Sequence, residues 1–116
     1  MTDNHTLNHL LVLTFNTSVE YAEKVLSEVR EHTGDDLTVR VVHTEEEARS
    51  AIEAGGVTHA YLEWAHIPNL KVLREWTKAQ NVQVFRPKWE DRRVRECYRG
   101  AWGYNTRSVR CGVELV

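Results

Sequence analysis

Between Val57 and Trp89 the chain reads VTHAYLEWAHIPNLKVLREWTKAQNVQVFRPKW. An apolar run from Val57 to Leu62 is followed by a helical stripe of Leu70, Leu73 and Trp76, and then by a second apolar run from Val82 to Phe85. Two strands joined through a helix make a βαβ crossover, the connection that parallel strands require. Pro68 fits the first turn of that helix, where its missing N–H costs little. The polar side chains gather at the strand exits, with Glu63, Trp64 and His66 after one strand and Arg86, Lys88 and Trp89 after the other.

The flanking chain extends the same alternation. Residues 1–8 are polar and read as a disordered lead, and residues 9–116 as a single α/β domain. His9 to Phe15 is almost continuously apolar, as a strand covered on both faces is. Thr17 and Glu20 have capping-box spacing before a helix bearing Ala22, Val25, Leu26 and Val29, which Gly34 ends. Leu37 to Val42 alternates like an edge strand. Thr44 and Glu47 repeat the capping box before Ala48, Ala51 and Ile52, and Gly55 and Gly56 stop that second helix.

After Trp89, Val94, Cys97, Tyr98 and Ala101 fall at i, i+3, i+4 and i+7, which predicts a fourth helix over 90–101. Its outer face would carry Arg92, Arg93, Arg95, Glu96 and Arg99, and Gly100 and Gly103 would break it. A last edge strand then sets Val109, Cys111, Val113 and Leu115 against Arg110, Gly112 and Glu114. Right-handed crossovers, with the second and fifth strands as edges, select the order 2-1-3-4-5. The expected fold is a three-layer Rossmann-like or flavodoxin-like α/β domain on a mostly parallel five-stranded sheet.

Charge is distributed unevenly along the chain. Residues 1–85 hold 7 Lys/Arg against 13 Asp/Glu, a net −6, whereas residues 86–116 hold 8 against 4, a net +4. A basic C-terminal third on an acidic body suggests an anionic partner for that third. No apolar run reaches the roughly 18 residues of a membrane span, and Met1 to Thr6 lacks the pattern of a signal peptide. A cytoplasmic protein without a membrane partner is therefore expected. Cys97 and Cys111 read as reduced, packed thiols, and without CxxC or HExxH no metal site is assigned.

Ligands of open α/β sheets bind where the strand order reverses, here between the exits of strands one and three. Thr14, Asn16 and Thr17 lie there at a helix N-terminus, which attracts anions. Glu63, Trp64 and His66 can hold a ribose, stack a base or exchange protons. Arg86, with Lys88 nearby, would close over an anion as a bidentate donor. A single carboxylate with no evident nucleophile gives no catalytic residue, and no cofactor is assigned. The first expectation is thus a small anionic, nucleotide-like ligand at this switch point.

The stretch LREWTKAQNVQVFRPKWE resembles part of SLOG-superfamily Rossmann-like domains, relatives of the cytokinin-activating LOG proteins, through Trp76, Pro87 and Trp89. That resemblance implies recognition of a nucleotide or nucleotide-derived ligand. The stretch VHTEEEARSAIEAGGVTHAYLEWAHIPNLKVLREW is similar to the second helix, third strand and Pro-containing loop of response-regulator receiver domains. Glu63 lies one position from where their phospho-accepting Asp aligns, Thr14 to Asn16 replace their acidic pair, and no lysine ends strand five. This second resemblance implies a degenerate receiver that works as a protein-interaction module.

Nucleic-acid binding is the third class. Arg92, Arg93, Arg95, Arg99, Arg107 and Arg110 are interleaved with Tyr98, Trp102 and Tyr104, a mixture that neutralises phosphates and stacks bases. The pI near 6.3 ranks it behind the other two. Two exposed edge strands also allow self-association.

Overall fold

The computed structural model describes residues 8–14, 16–63 and 70–116. The polar lead, Trp64, His66 and Pro68 lie outside the described residues, apart from Asn8, which opens the first strand. The elements are β1 (Asn8–Leu13), α1 (Val19–Thr33), β2 (Leu37–Val42), α2 (Glu45–Glu53), β3 (Val57–Leu62), α3 (Leu70–Ala79), β4 (Gln83–Tyr98) and β5 (Ala101–Leu115).

β1 takes a central place because Leu10 to Leu13 are apolar toward both faces, and all four are fully buried. The strand order is β2-β1-β3-β4-β5, as expected. β1 to β4 are parallel, but β5 runs antiparallel to β4, so the sheet is mixed. One face packs Leu10, Val12, Tyr61 and Phe85 against Val25 and Val29 of α1. The other packs Leu11, Leu13, Leu62 and Val84 against Ala48, Ala51 and Ile52 of α2 and Leu73 of α3. Helices on both faces give the three layers.

The local signals that end the helices act through backbone hydrogen bonds. Thr44 caps α2 as its spacing predicts, accepting from the Glu47 N–H at 3.1 Å while its hydroxyl donates to the Glu47 carboxylate at 3.0 Å. The cap of α1 falls one residue later than expected: Ser18, not Thr17, accepts from the Tyr21 N–H, and Thr17 is left exposed. Gly34 closes α1 at φ 75°, a left-handed conformation that favours glycine.

The fourth helix expected over 90–101 does not form. β4 runs through that segment to Tyr98, turns on Arg99 and Gly100, and returns as β5 from Ala101. Arg99 and Gly100 both have positive φ, 52° and 82°, as the two central residues of a type I′ hairpin turn require. β3 pairs only with Gln83 to Phe85 of β4, so beyond Trp89 the hairpin stands as a free two-stranded arm. Nine residues per strand from Glu90 give it a reach of about 30 Å. The radius of gyration is 16.8 Å, against about 13 Å for a compact chain of this length. The arm, not the body, sets the 65 Å long axis.

A bulge marks the root of the arm. Lys88 pairs with Gly112 and Trp89 with Arg110, which leaves Cys111 as the extra residue. The extra residue inverts the side-chain alternation of β5. Arg110, expected to point the same way as Gly112 and Glu114, turns to the α1 side instead, where it meets Glu28.

His59 of β3 supplies a prediction about pH. The residue is 4% exposed, and its ring stacks on Phe85 and shares a 2.8 Å hydrogen bond with the Thr58 hydroxyl. Its Nε2 has no hydrogen-bond partner among the described residues, since the Asp35 carboxylate stands off at 3.6 Å, and His32 meets Phe85 edge-on at 5.2 Å. Burial lowers the His59 pKa, and the Asp35 charge opposes that shift. The folded chain thus keeps His59 neutral where the unfolded chain protonates it, so stability present above about pH 6.5 is lost as pH falls toward the folded pKa. Urea midpoints at pH 7.5 and 5.5 should drop further for the native chain than for His59→Gln. Parallel curves for the two proteins would assign the pH dependence elsewhere.

Candidate functional site

At the switch point, Glu63 leaves β3 with its N–H on the Leu13 carbonyl at 3.2 Å. Its side chain continues the Tyr61 side of the strand and faces α1. One carboxylate oxygen accepts from the Thr14 hydroxyl and the other from the Tyr21 hydroxyl, with the Tyr61 hydroxyl oxygen 3.4 Å away. Thr14 in turn accepts from the Asn16 N–H at 3.0 Å, and the Asn16 side chain accepts from the Ser18 N–H at 2.8 Å. Thr14, Asn16 and Glu63 therefore meet as expected, but their described bonds build the turn into α1.

The tyrosines connect Glu63 to the arm. Tyr21 and Tyr61 share a 2.9 Å hydrogen bond, and Arg110 Nε donates to the Tyr61 hydroxyl at 2.9 Å. Each phenol has one proton, so with Tyr21 donating to Glu63, Tyr61 donates to Tyr21 and accepts from Arg110. The Arg110 guanidinium lies over both rings, 5.3 and 5.4 Å from their centroids, and pairs with Glu28 at 2.6 Å. The result is one connected network from Glu28 of α1 through the arm root to Thr14, in which Arg110 donates to both sides and Glu63 accepts from both.

The protonation states follow from burial and these partners. Burial pushes the Tyr61 phenol up to about 12. Burial and the bond to Glu63 raise Tyr21 as well, so both phenols keep their protons at neutral pH. Burial works against the charge of Arg110, but Glu28 and Tyr61 outweigh it and the pKa is raised. Tyr61 had a readable signal in the sequence: a tyrosine inside an aliphatic strand needs a partner for its hydroxyl. Nothing local announced Tyr21 or Arg110 as that partner.

Arg86 and Lys88 do not join Glu63. Arg86 follows Val84 onto the α2 and α3 side and pairs with Glu114 at 3.3 Å. There its charge, after burial, lowers the pKa of Arg74, whose Nη2 donates to the Leu62 carbonyl at 2.8 Å. Arg74 belonged to no expected site. Lys88 is exposed and lines an open cleft of about 350 Å³ between Glu28, Glu31 and His32 of α1 and Cys111 of β5. Among the described residues, no three His, Cys, Asp or Glu side chains are grouped to hold a metal.

The arginines expected on a helix surface are instead divided between the two faces of the arm. One face carries Trp89, Asp91, Arg93, Arg95 and Cys97 opposite Arg110, Ser108, Thr106, Tyr104 and Trp102. Arg93 lies over the Tyr104 ring at 4.5 Å and Arg95 over the Trp102 ring at 4.9 Å, each one rung diagonally across. Asp91, the one carboxylate of this face, accepts from Ser108 at 2.9 Å.

The opposite face is charge-matched. Glu90 pairs with Arg92, and Glu96 with Arg107 and, at 2.7 Å, Asn105. These hydrogen bonds and charges hold both carboxyls below the usual range, led by Arg92 for Glu90 and Asn105 for Glu96. Tyr98, expected on a buried helix face, is 67% exposed here, and Cys97 is exposed rather than packed. Among the described residues, Arg93, Arg95 and Arg99 make no ion pair.

Two sets of groups are thus on offer, a self-bonded carboxylate at the switch point and an open arginine–aromatic ladder on the arm. No protein-family model, curated protein or solved structure matches this chain, so its function rests on its own residues.

Proposed function

We propose that this protein binds nucleic acid through the arm. The observation that carries the reading is the segregation of charge on the ribbon. Arg93 and Arg95 lie over Tyr104 and Trp102 on one face, while Glu90 and Glu96 are neutralised on the other. A surface that presents cations and flat rings together complements a partner with phosphates and flat bases. The arm also carries this face away from a body rich in carboxylates, which would repel a polyanion. The switch point supports a small anion less well, because Arg86 lies across the sheet from Glu63.

The test is anisotropy of labelled oligonucleotides against salt. Three guanidiniums, Arg93, Arg95 and Arg99, give an expected log–log salt slope of about −2 on a single strand. Replacing Arg93 and Arg95 by Gln should weaken binding and flatten that slope by about 1.5, with little change in stability. If neither single strands nor duplexes bind at about 50 mM salt below roughly 100 µM, the reading falls and the arm becomes a protein-docking element.

A further inference from the structure

We infer that the arm takes single-stranded rather than duplex nucleic acid, by stacking unpaired bases on Trp102 and Tyr104. The inference rests on the nucleic-acid reading and adds a substrate class to it. Trp102 and Tyr104 keep 63% and 57% of their surface exposed although a guanidinium lies over each ring. They occupy alternate positions of β5 on one face, roughly 7 Å apart along the strand. Neighbouring bases within a duplex strand rise only about 3.4 Å. Bases that stack on both rings must therefore have parted from each other, which an unpaired strand allows and a duplex resists.

A two-stranded ribbon does fit the major groove, so the duplex is the alternative to weigh. In a groove, however, paired bases present only their edges, and exposed rings find no face to stack on. Guanidiniums and amides both read such edges, but Arg93 and Arg95 lie over the Tyr104 and Trp102 rings, and the arm's Asn105 is turned to the opposite face and donates to Glu96. The cation count points the same way. Three guanidiniums without an ion pair among the described residues neutralise few phosphates, so stacking has to supply much of the affinity, as in sequence-tolerant single-strand binders. Trp89, 58% exposed on the same face near the root, offers a further ring along the path of the strand.

The experiment compares a mixed-sequence single strand with the same strand annealed to its complement, each titrated with the 116-residue chain and two variants. Expected are tighter binding to the single strand, a loss of roughly 5- to 100-fold for Trp102→Ala, and near-native affinity for Trp102→Phe, which keeps a ring. Equal or tighter duplex binding would overturn the inference and leave the nucleic-acid reading intact. So would single-strand affinity untouched by Trp102→Ala. Binding to neither form would overturn that reading itself.

Discussion

Replacing Arg110 by Ala is expected to cost about 2–4 kcal/mol of unfolding free energy, measured by urea denaturation. The guanidinium pairs with Glu28, donates to Tyr61, and covers two phenol rings. Truncation leaves a carboxylate and a phenol short of their partner in a poorly hydrated place. Breaking a fully buried pair costs about 3–5 kcal/mol, and the lower figure here reflects side chains that retain 12% and 19% exposure. Adding Glu28→Gln should recover part of the loss, because the second change removes the stranded charge. A cost under about 0.5 kcal/mol would mean that water already serves these groups, and that the arm root is held by backbone pairing alone.

Phe85→Ala should be the more damaging change, at about 3–5 kcal/mol. Phe85 is fully buried on the α1 side, edge-on to His32 at 5.2 Å and stacked on His59 at 6.3 Å. It is also the last residue of β4 that β3 holds, pairing with Tyr61 on one side and Leu115 on the other. A cavity here empties the core at the point where the arm leaves the body. The informative control is Trp102→Ala, on the arm itself, which should stay within about 0.5 kcal/mol of the native chain. If Trp102→Ala destabilised as much as Phe85→Ala, the arm would be a packed part of the fold and no free binding surface.

Much of the body was legible because its signals are local and agree with one another. LLVL is apolar toward both faces, so it had to sit mid-sheet, and all four residues are buried. Thr44 with Glu47, and Gly34 at φ 75°, bound helices where their chemistry demands. The error over 90–101 has a specific cause. Val94 and Tyr98, four residues apart, share a face in a helix and also in a strand. Gly100 misled for a similar reason, since the positive φ that ends a helix is also the one a type I′ turn needs at its second position. Local pattern favoured the helix, and pairing with Ala101–Leu115 over 14 rungs favoured the strand.

The candidate sites divide along the same line. Glu63 and Thr14 could be brought together from sequence, because parallel neighbours deliver their C-terminal ends to one place. Tyr21 and Arg110 could not, being 42 and 47 residues away from Glu63 in sequence, and they reach its network only across the packed layers. By itself, the sequence determined the βαβ body, the order of its strands and the basic character of the C-terminal third. Only the tertiary structure decided that this third is a ribbon, which arginines share a face with Trp102 and Tyr104, and that Arg110 turns inward. The reason is physical: strand alternation has a period of two, so one bulged residue at Cys111 or one choice of helix over strand reassigns every side chain on the arm side of it.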